Sequence, residues 1–164
     1  MPYTEAALSH LVAQVSEAPE MLGRAVRLEN ASSCVRFQAD EMSEWAFMAQ
    51  LARRADCELL LDLNNVYVSR RNHGFDAPEF IDAMPPERVR QIHRAGHEDH
   101  RPHLIDTHDQ PVCDSVWALY ACAVKRLGAV PTMIEPDDHM PPRADLLAEL
   151  DQARAVRAAA LVPR

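Results

Sequence analysis

The run of residues 59–63, Leu-Leu-Leu-Asp-Leu, is the strongest constraint on this chain, because it is apolar except for Asp62. A short and nearly continuous apolar run is typical of a strand buried on both faces, as in a parallel sheet. A carboxylate inside such a strand costs free energy unless it is paired or bound to a cation. The run therefore predicts a site at the carboxyl end of this strand. We interpret residues 64–74, which begin with Asn64 and Asn65, as a loop that follows it.

Three further segments have the composition of short strands, at residues 26–28, 89–93 and 130–134. Helical segments alternate with them, and their apolar residues are spaced three and four apart. The predicted helices are one capped by Thr4, one capped by Asp40 or Ser43, a short one within residues 75–84, one capped by Asp114 and one that starts at Asp145. Strands alternating with helices indicate a parallel sheet with right-handed crossovers. The predicted fold class is α/β, with about four parallel strand–helix units preceded by one helix, in a single domain of residues 1–164.

Each predicted strand ends in a side chain that can bind a metal ion. These residues are Glu29, Asp62, His93 and Glu135, separated by 33, 31 and 42 positions. Because the carboxyl ends of parallel strands form one functional face, we expect the four side chains to converge. The loop after the third strand adds His97, Asp99, His100, His103, Asp106 and His108. A mixed carboxylate and imidazole set favours iron, manganese or zinc over calcium or a thiolate site, and two histidines with one carboxylate suffice for non-haem iron.

A simpler interpretation applies to each of these residues alone. One acid at a strand end is usually a helix cap or an ion-pair partner. His100, His103 and His139 have the polar neighbours of solvated surface residues, and His97 can be a structural histidine. The recurrence of a ligand at the same place in four successive units favours the metal site.

The net charge and the cysteines restrict the partners and the compartment. The formal net charge is -8 and no basic stripe offsets it, which argues against a nucleic-acid partner. No apolar run approaches the ~20 residues of a membrane span, and the first residues do not have the pattern of a secretory signal. The four cysteines form no C-x-x-C pair, as expected of a reduced protein. We therefore expect a cytoplasmic protein that binds neither nucleic acid nor membrane.

Several motifs carry a family resemblance over roughly residues 3–156. In chain order they are Leu28-Glu29-Asn30-x-Ser32-Ser33, Leu61-Asp62-Leu63-Asn64-Asn65-Val66-Tyr67-Val68, Asn72-His73-Gly74-Phe75-Asp76, Ile92-His93-x-Ala95-Gly96-His97, Ile105-Asp106-Thr107-His108 and Ile134-Glu135. Together they resemble the MbnB-like family of multinuclear iron proteins, whose fold is a xylose-isomerase-like TIM barrel. The resemblance implies that this chain is a partial (β/α) TIM-type barrel corresponding to the C-terminal half of that fold.

The resemblance also implies a cofactor and a set of site residues. The family holds two or three iron ions, and this chain can hold fewer; manganese or zinc are the alternatives. The metal ligands implied are Glu29, Asp62, Asn64, His93, Asp106, His108 and Glu135. Asn65, His73 and His97 are implied to orient those ligands through hydrogen bonds.

The implied activity is the dioxygen-dependent oxidation of a cysteine in a small, ribosomally made peptide, which a partner protein delivers. A divalent-metal isomerase or hydrolase of the xylose-isomerase-like group is a second hypothesis, because such enzymes use similar ligands. A non-catalytic half barrel that serves as an interaction module is a third hypothesis. The three remain distinct because TIM-type barrels support many chemistries.

Some features depart from the family pattern. The family barrel has eight units, and two histidine ligands of its first half have no counterpart here. Arg27 and Arg94 occupy strand positions that are usually apolar, Asp109 replaces a glycine and Pro136 replaces an aromatic residue. A half barrel leaves two open sheet edges. We therefore expect either a homodimer or a complex with a first-half barrel chain.

Overall fold

The computed structural model describes residues 1–162 of the chain. Its helices are α1 (Glu5–Leu22), α2 (Glu44–Arg54), α3 (Leu63–His73), α4 (Ala77–Ala83), α5 (Asp114–Leu127) and α6 (Arg143–Ala160). Its strands are β1 (Arg27–Glu29), β2 (Glu58–Asp62), β3 (Val89–Arg94), β4 (Glu98–Asp99), β5 (Leu104–Ile105) and β6 (Thr132–Ile134). None of the helices in this range is long and apolar enough to cross a membrane.

Four strands form one parallel sheet in the order β1-β2-β3-β6. Helices separate successive strands along the chain, which confirms the predicted α/β class and is consistent with a partial β/α barrel. The register places Asp62 of β2 directly beside His93 of β3. Each outer strand, β1 and β6, pairs with only one neighbour within residues 1–162. Because the strands are parallel, their carboxyl ends all lie along one end of the sheet. The outer strands β1 and β6 are its two open edges within residues 1–162.

The two faces of the sheet differ in chemistry. Leu59, Leu61 and Ile92 are buried against the helices, where Phe47 and Tyr120 are also buried. Burial of each large apolar side chain contributes roughly 1.5–3 kcal/mol, so this helix-covered face holds most of the stabilising contacts. Residues of opposite parity, such as Glu58 on β2, point to the other face, which would be the interior of a barrel.

Residues 63–73 form the helix α3, so the predicted loop over residues 64–74 is wrong. The side chain of Asp62 caps α3, because its Oδ1 accepts a hydrogen bond from the Asn65 backbone N–H at 2.6 Å. The helix ends at Gly74, whose φ of 76° lies in the left-handed region. The asparagines and β-branched residues of this segment have weak helix propensity, which favoured the loop interpretation. Burial of Leu63, Val66 and other side chains outweighs that preference.

Most other helix starts agree with the sequence. Thr4 and Ser43 cap α1 and α2 through their hydroxyl oxygens, as predicted. Two starts are wrong: Cys113 rather than Asp114 is the N-cap of α5, and α6 starts at Arg143, two residues before the predicted position. Asp114 instead lies in the first turn, where a negative charge favours the positive end of the helix dipole.

Candidate metal centre

Four side chains from four successive strand ends meet at the carboxyl edge of the sheet. Glu29, Asp62, His93 and Glu135 each offer one ligand atom, and these atoms all lie within 4.8 Å of one another. The Nδ1 atom of His93 is 2.8 Å from Glu135 Oε2 and 3.9 Å from Glu29 Oε1. We call these four residues the strand-end cluster. The convergence predicted from their spacing is present in the structure.

Asp62 is the most deeply buried member of the cluster, with 0% of its surface exposed. Its Oδ1 caps α3, whereas its Oδ2 has no hydrogen-bond partner within residues 1–162. Burial raises the pKa of this carboxyl to about 6, and the Asn65 N–H offsets part of that rise. Burial, followed by the nearby charge of Asp62, also raises the pKa of Glu29. A cation would satisfy the unpartnered oxygen and relieve the repulsion, so the residues present fit a metal ion.

Asn30, which was not among the predicted site residues, joins the segment after β1 to the end of β2. Its Nδ2 donates to the carbonyl oxygen of Asp62 at 3.0 Å, and its Oδ1 accepts from the Asp62 N–H at 2.9 Å. Its own carbonyl accepts from Asn65 Nδ2 at 2.9 Å. Asn30 thereby holds Asp62 in position beside Glu29. The sequence signals for this role were its place directly after a ligand and its presence in the motif Leu28-Glu29-Asn30-x-Ser32-Ser33.

A second group of ligand atoms adjoins the strand-end cluster through Glu135. His108 Nε2 is 2.8 Å from Asp106 Oδ1, and His108 Nδ1 is 3.7 Å from Glu135 Oε2 and 3.3 Å from Asp137 Oδ2. The contact with Asp106 raises the pKa of His108 to about 9. Both ring nitrogens are buried without hydrogen-bond geometry to any residue of the described chain. Imidazole nitrogens this close to several carboxylates are suited to share a cation with them.

His108 also has an unusual backbone, with a φ of 54°. Non-glycine residues with positive φ are uncommon, and such strain concentrates at functional sites. The His108 N–H donates to the carbonyl of Gly96 at 3.2 Å, which holds the turn against the segment after β3.

Asn64 links Asp106 to the same segment. Its Nδ2 donates to Asp106 Oδ1 at 2.5 Å and to the Gly96 carbonyl at 3.0 Å, while its Oδ1 lies 2.8 Å from His97 Nδ1. Burial lowers the pKa of His97, so its neutral ring can donate from Nδ1 to that oxygen. The contacts of Asn64 and His97 are those of residues that orient a ligand, and direct coordination by Asn64 stays a prediction.

Of the two remaining predicted residues, Asn65 lies beside the cluster and His73 does not. Asn65 lines a cavity of about 470 Å³ together with Glu29, Asp106, His108 and Glu135. Its Oδ1 is buried and has no hydrogen-bond partner within the described range. His73 instead contacts Ser33 Oγ at 3.2 Å, so it supports the loop after β1 rather than contacting the cluster.

Three other histidines lie at the surface, as the simpler interpretation predicted. His100 and His103 are exposed on the β4–β5 hairpin, and His139 is exposed after β6. They do not belong to the strand-end cluster.

Comparison with known sequences identifies the group to which this arrangement belongs. The profile of the family described as "RiPP precursor modification enzyme MbnB/TglH/ChrH" matches residues 1–158. A UPF0276 protein of Anaeromyxobacter sp. (strain Fw109-5) is 53% identical over 161 residues, covering 98% of this chain and 57% of the relative. A UPF0276 protein of Caulobacter vibrioides is 56% identical over 155 residues, covering 94% of this chain and 55% of the relative.

More distant relatives show the same coverage. A UPF0276 protein of Acaryochloris marina is 46% identical over 153 residues, covering 93% of this chain and 55% of the relative. The chain thus spans a little over half the length of these curated relatives. The match over residues 1–158 and the identities above 50% show that this chain belongs to the MbnB/TglH/ChrH family of RiPP precursor modification enzymes.

Proposed function

We propose that this chain is an oxidative enzyme, or one half of such an enzyme, that holds a multinuclear non-haem iron centre and modifies a cysteine of a small ribosomally made peptide. The observation that carries the proposal is the strand-end cluster, in which four ligand atoms from four strands lie within 4.8 Å of one another. The family match supports peptide modification. Oxygen and nitrogen donors without thiolates suit iron, with manganese and zinc as alternatives.

In this proposal two adjoining groups of side chains hold the metal. Glu29, Asp62 and His93 would hold one ion and Asp106 and His108 would hold a second, and Glu135 contacts a histidine of each group. When bound, iron would supply redox chemistry with dioxygen and lower the pKa of a substrate thiol. Asn64 is either a further ligand or, as its contacts favour, the residue that orients Asp106.

The protein's own residues bind and position the substrate. The cavity of about 470 Å³ over the cluster can admit a cysteine side chain, and Ala31 and Ser32 form part of its wall. The side chain of Asn65 also lines this cavity, where its Nδ2 is held by the Asn30 carbonyl oxygen at 2.9 Å. Asn30 and His97 hold the ligand-bearing segments in place, so the ligands need little reorganisation when a metal binds.

We further propose that residues 1–164 act as one domain in the reduced cytoplasm, where the four free cysteines are stable. The single hydrogen-bonded neighbours of β1 and β6 leave edges for a complement. That complement is a first-half barrel chain or a second copy of this chain. A separate partner protein would deliver the Cys-containing peptide.

Anaerobic loading with ferrous iron, followed by elemental analysis and Mössbauer spectroscopy, tests the centre. We expect the parent protein to retain iron through desalting and Asp62→Asn to bind it at least about tenfold more weakly. Asp76→Asn is the matched control, because Asp76 also precedes a helix but is exposed and makes no capping hydrogen bond.

Equal iron retention by the parent and Asp62→Asn would refute the assigned centre. Retention of zinc or manganese in preference to iron, with activity that needs no dioxygen, would favour an isomerase or hydrolase instead. Failure to bind any of these ions would favour the non-catalytic module.

A further inference from the structure

A line of hydrogen-bonded polar side chains runs across the sheet, from positions before the carboxyl ends of its strands to His93. Gln91 precedes His93 by two residues on β3, so both side chains point to the same face. Gln91 Nε2 lies 2.8 Å from His93 Nε2. Arg27 of β1 donates from Nη1 to Gln91 Oε1 at 2.6 Å. Arg27 also donates from Nη2 to Glu58 Oε2 at 2.8 Å and from Nε to the same oxygen at 3.2 Å.

These contacts determine where His93 carries its ring proton. A guanidinium group can only donate, so the amide oxygen of Gln91 must face Arg27 and its NH₂ group must face His93. The Nε2 atom of His93 then accepts a hydrogen bond. The ring proton is therefore on Nδ1, from which it is donated to Glu135 Oε2 at 2.8 Å.

A bound cation requires the opposite arrangement. Nδ1 is the nitrogen of His93 that faces Glu135 and Glu29, so it is the atom available to a shared ion. A coordinating nitrogen has no proton, and the other ring nitrogen then carries one and needs an acceptor. The NH₂ group of Gln91 cannot accept that hydrogen bond.

We propose that Gln91 is a positioning residue that sets the proton position on His93, and that its amide must reverse when a metal binds at Nδ1. The reversal presents Oε1 to the Nε2–H of His93 and the NH₂ group to Arg27. Two donors then face each other, so Arg27 withdraws and pairs with Glu58 alone. This inference rests on the proposed metal centre. It implies that Arg27 lowers the affinity of that centre for a metal ion.

Substitutions at three positions separate this effect from simple charge. Arg27→Met removes the hydrogen bond to the amide oxygen of Gln91, so zinc should bind more tightly. We expect a change of about tenfold, which is the lower limit of the affinity changes usual for residues that orient a ligand. Arg90→Met is the matched control, because Arg90 also pairs with Glu58, at 3.4 Å, but makes no hydrogen bond to Gln91. Gln91→Glu, whose carboxylate accepts from both neighbours, should also tighten binding by about tenfold.

Zinc affinity is measured on the full chain by competition with a chelator, and ¹⁵N NMR of labelled histidines reports the ring proton, with His93→Gln to assign the signal. We expect the metal-free parent to show His93 protonated on Nδ1 and the zinc-loaded protein to show it protonated on Nε2. Far-UV circular dichroism checks that each variant is folded.

The inference is overturned if metal-free His93 carries its proton on Nε2, or if Arg27→Met and Arg90→Met change zinc affinity equally. Unchanged affinity in Gln91→Glu would also overturn it. Failure of the parent to bind zinc or iron would refute the metal centre instead, while the NMR measurement on the metal-free protein would still decide the position of the proton.

Discussion

Glu44, the first residue of α2, gives the sharpest prediction about stability. Burial raises the pKa of its carboxyl, and a hydrogen bond from the Tyr3 hydroxyl offsets part of that rise, so the pKa goes from 4.5 to about 7. The side chain lines a cavity of about 330 Å³ that Trp45 and Phe75 also line. Glu44→Gln replaces the carboxyl with a neutral amide of nearly the same shape, so it removes the cost of ionising this group.

The expected effect follows from linkage between protonation and folding. A rise in pKa from 4.5 to about 7 corresponds to about 3 kcal/mol, which we reduce to about 2 kcal/mol because water reaches part of the side chain. The folded chain keeps the proton up to about pH 7, whereas the unfolded chain releases it near pH 4.5. The free energy of unfolding of the parent therefore falls by about 2 kcal/mol as pH rises from about 4.5 to about 7. Glu44→Gln has no carboxyl at this position and does not lose this stability.

Urea unfolding followed by circular dichroism at several pH values between 5 and 8 measures the effect. We expect the free energy of unfolding of Glu44→Gln to exceed that of the parent by an amount that widens by about 2 kcal/mol across this range. Glu17→Gln, at an exposed position on α1, controls for the loss of one carboxylate. A difference between Glu44→Gln and the parent that stays constant with pH would refute the reasoning.

Three other substitutions test the site and its support. Asn30→Ala leaves the buried Asp62 N–H without its acceptor, so we expect a loss of about 2 kcal/mol in urea unfolding together with weaker metal binding; undiminished metal affinity would contradict its role in placing Asp62. In Gly96→Ala the new Cβ would lie 1.9 Å from the Gln110 carbonyl oxygen, so the segment that carries His97 must shift. We expect about 3 kcal/mol of destabilisation in urea unfolding. Stability equal to that of the parent would show that this segment shifts at little cost. Arg94 is fully buried between Trp117 and Tyr120, with no hydrogen bond from its guanidinium within residues 1–162, and burial lowers its pKa to about 10. Arg94→Met keeps the apolar stem and should stabilise the fold by about 1 kcal/mol; a comparable loss in thermal unfolding would mean that the two rings outweigh the desolvation of the charge.

The sheet and the convergence of its ligands were predictable because both depend on simple periodicity. Alternating strands and helices leave few topologies, and a parallel sheet brings its carboxyl ends to one edge. Glu29, Asp62, His93 and Glu135 could therefore be grouped from their spacing alone. The predicted loop after Asp62 was wrong because propensity is local, while the burial that stabilises α3 comes from distant segments.

The supporting residues were less predictable because each acts through a partner far along the chain. Asn30 bonds to the backbone of Asp62, 32 residues away, and Arg27 reaches Gln91, 64 residues away. Neither contact leaves a pattern in the neighbouring residues. Arg94 was noted only as an unusual residue for its position, and its place between two aromatic rings required the three-dimensional structure.

The direct passage from β2 into α3 gives Asp62 two tasks at once. One oxygen closes the first turn of the helix and the other has no hydrogen-bond partner within residues 1–162, so the Asn65 amide proton is bonded to a carboxylate that would bind the metal. Electron density drawn from that carboxylate by a cation would weaken its bond to the amide. The chemical shift of the Asn65 backbone N–H should therefore change when a metal ion binds. This change would report metal binding without substrate, turnover or any label at the metal.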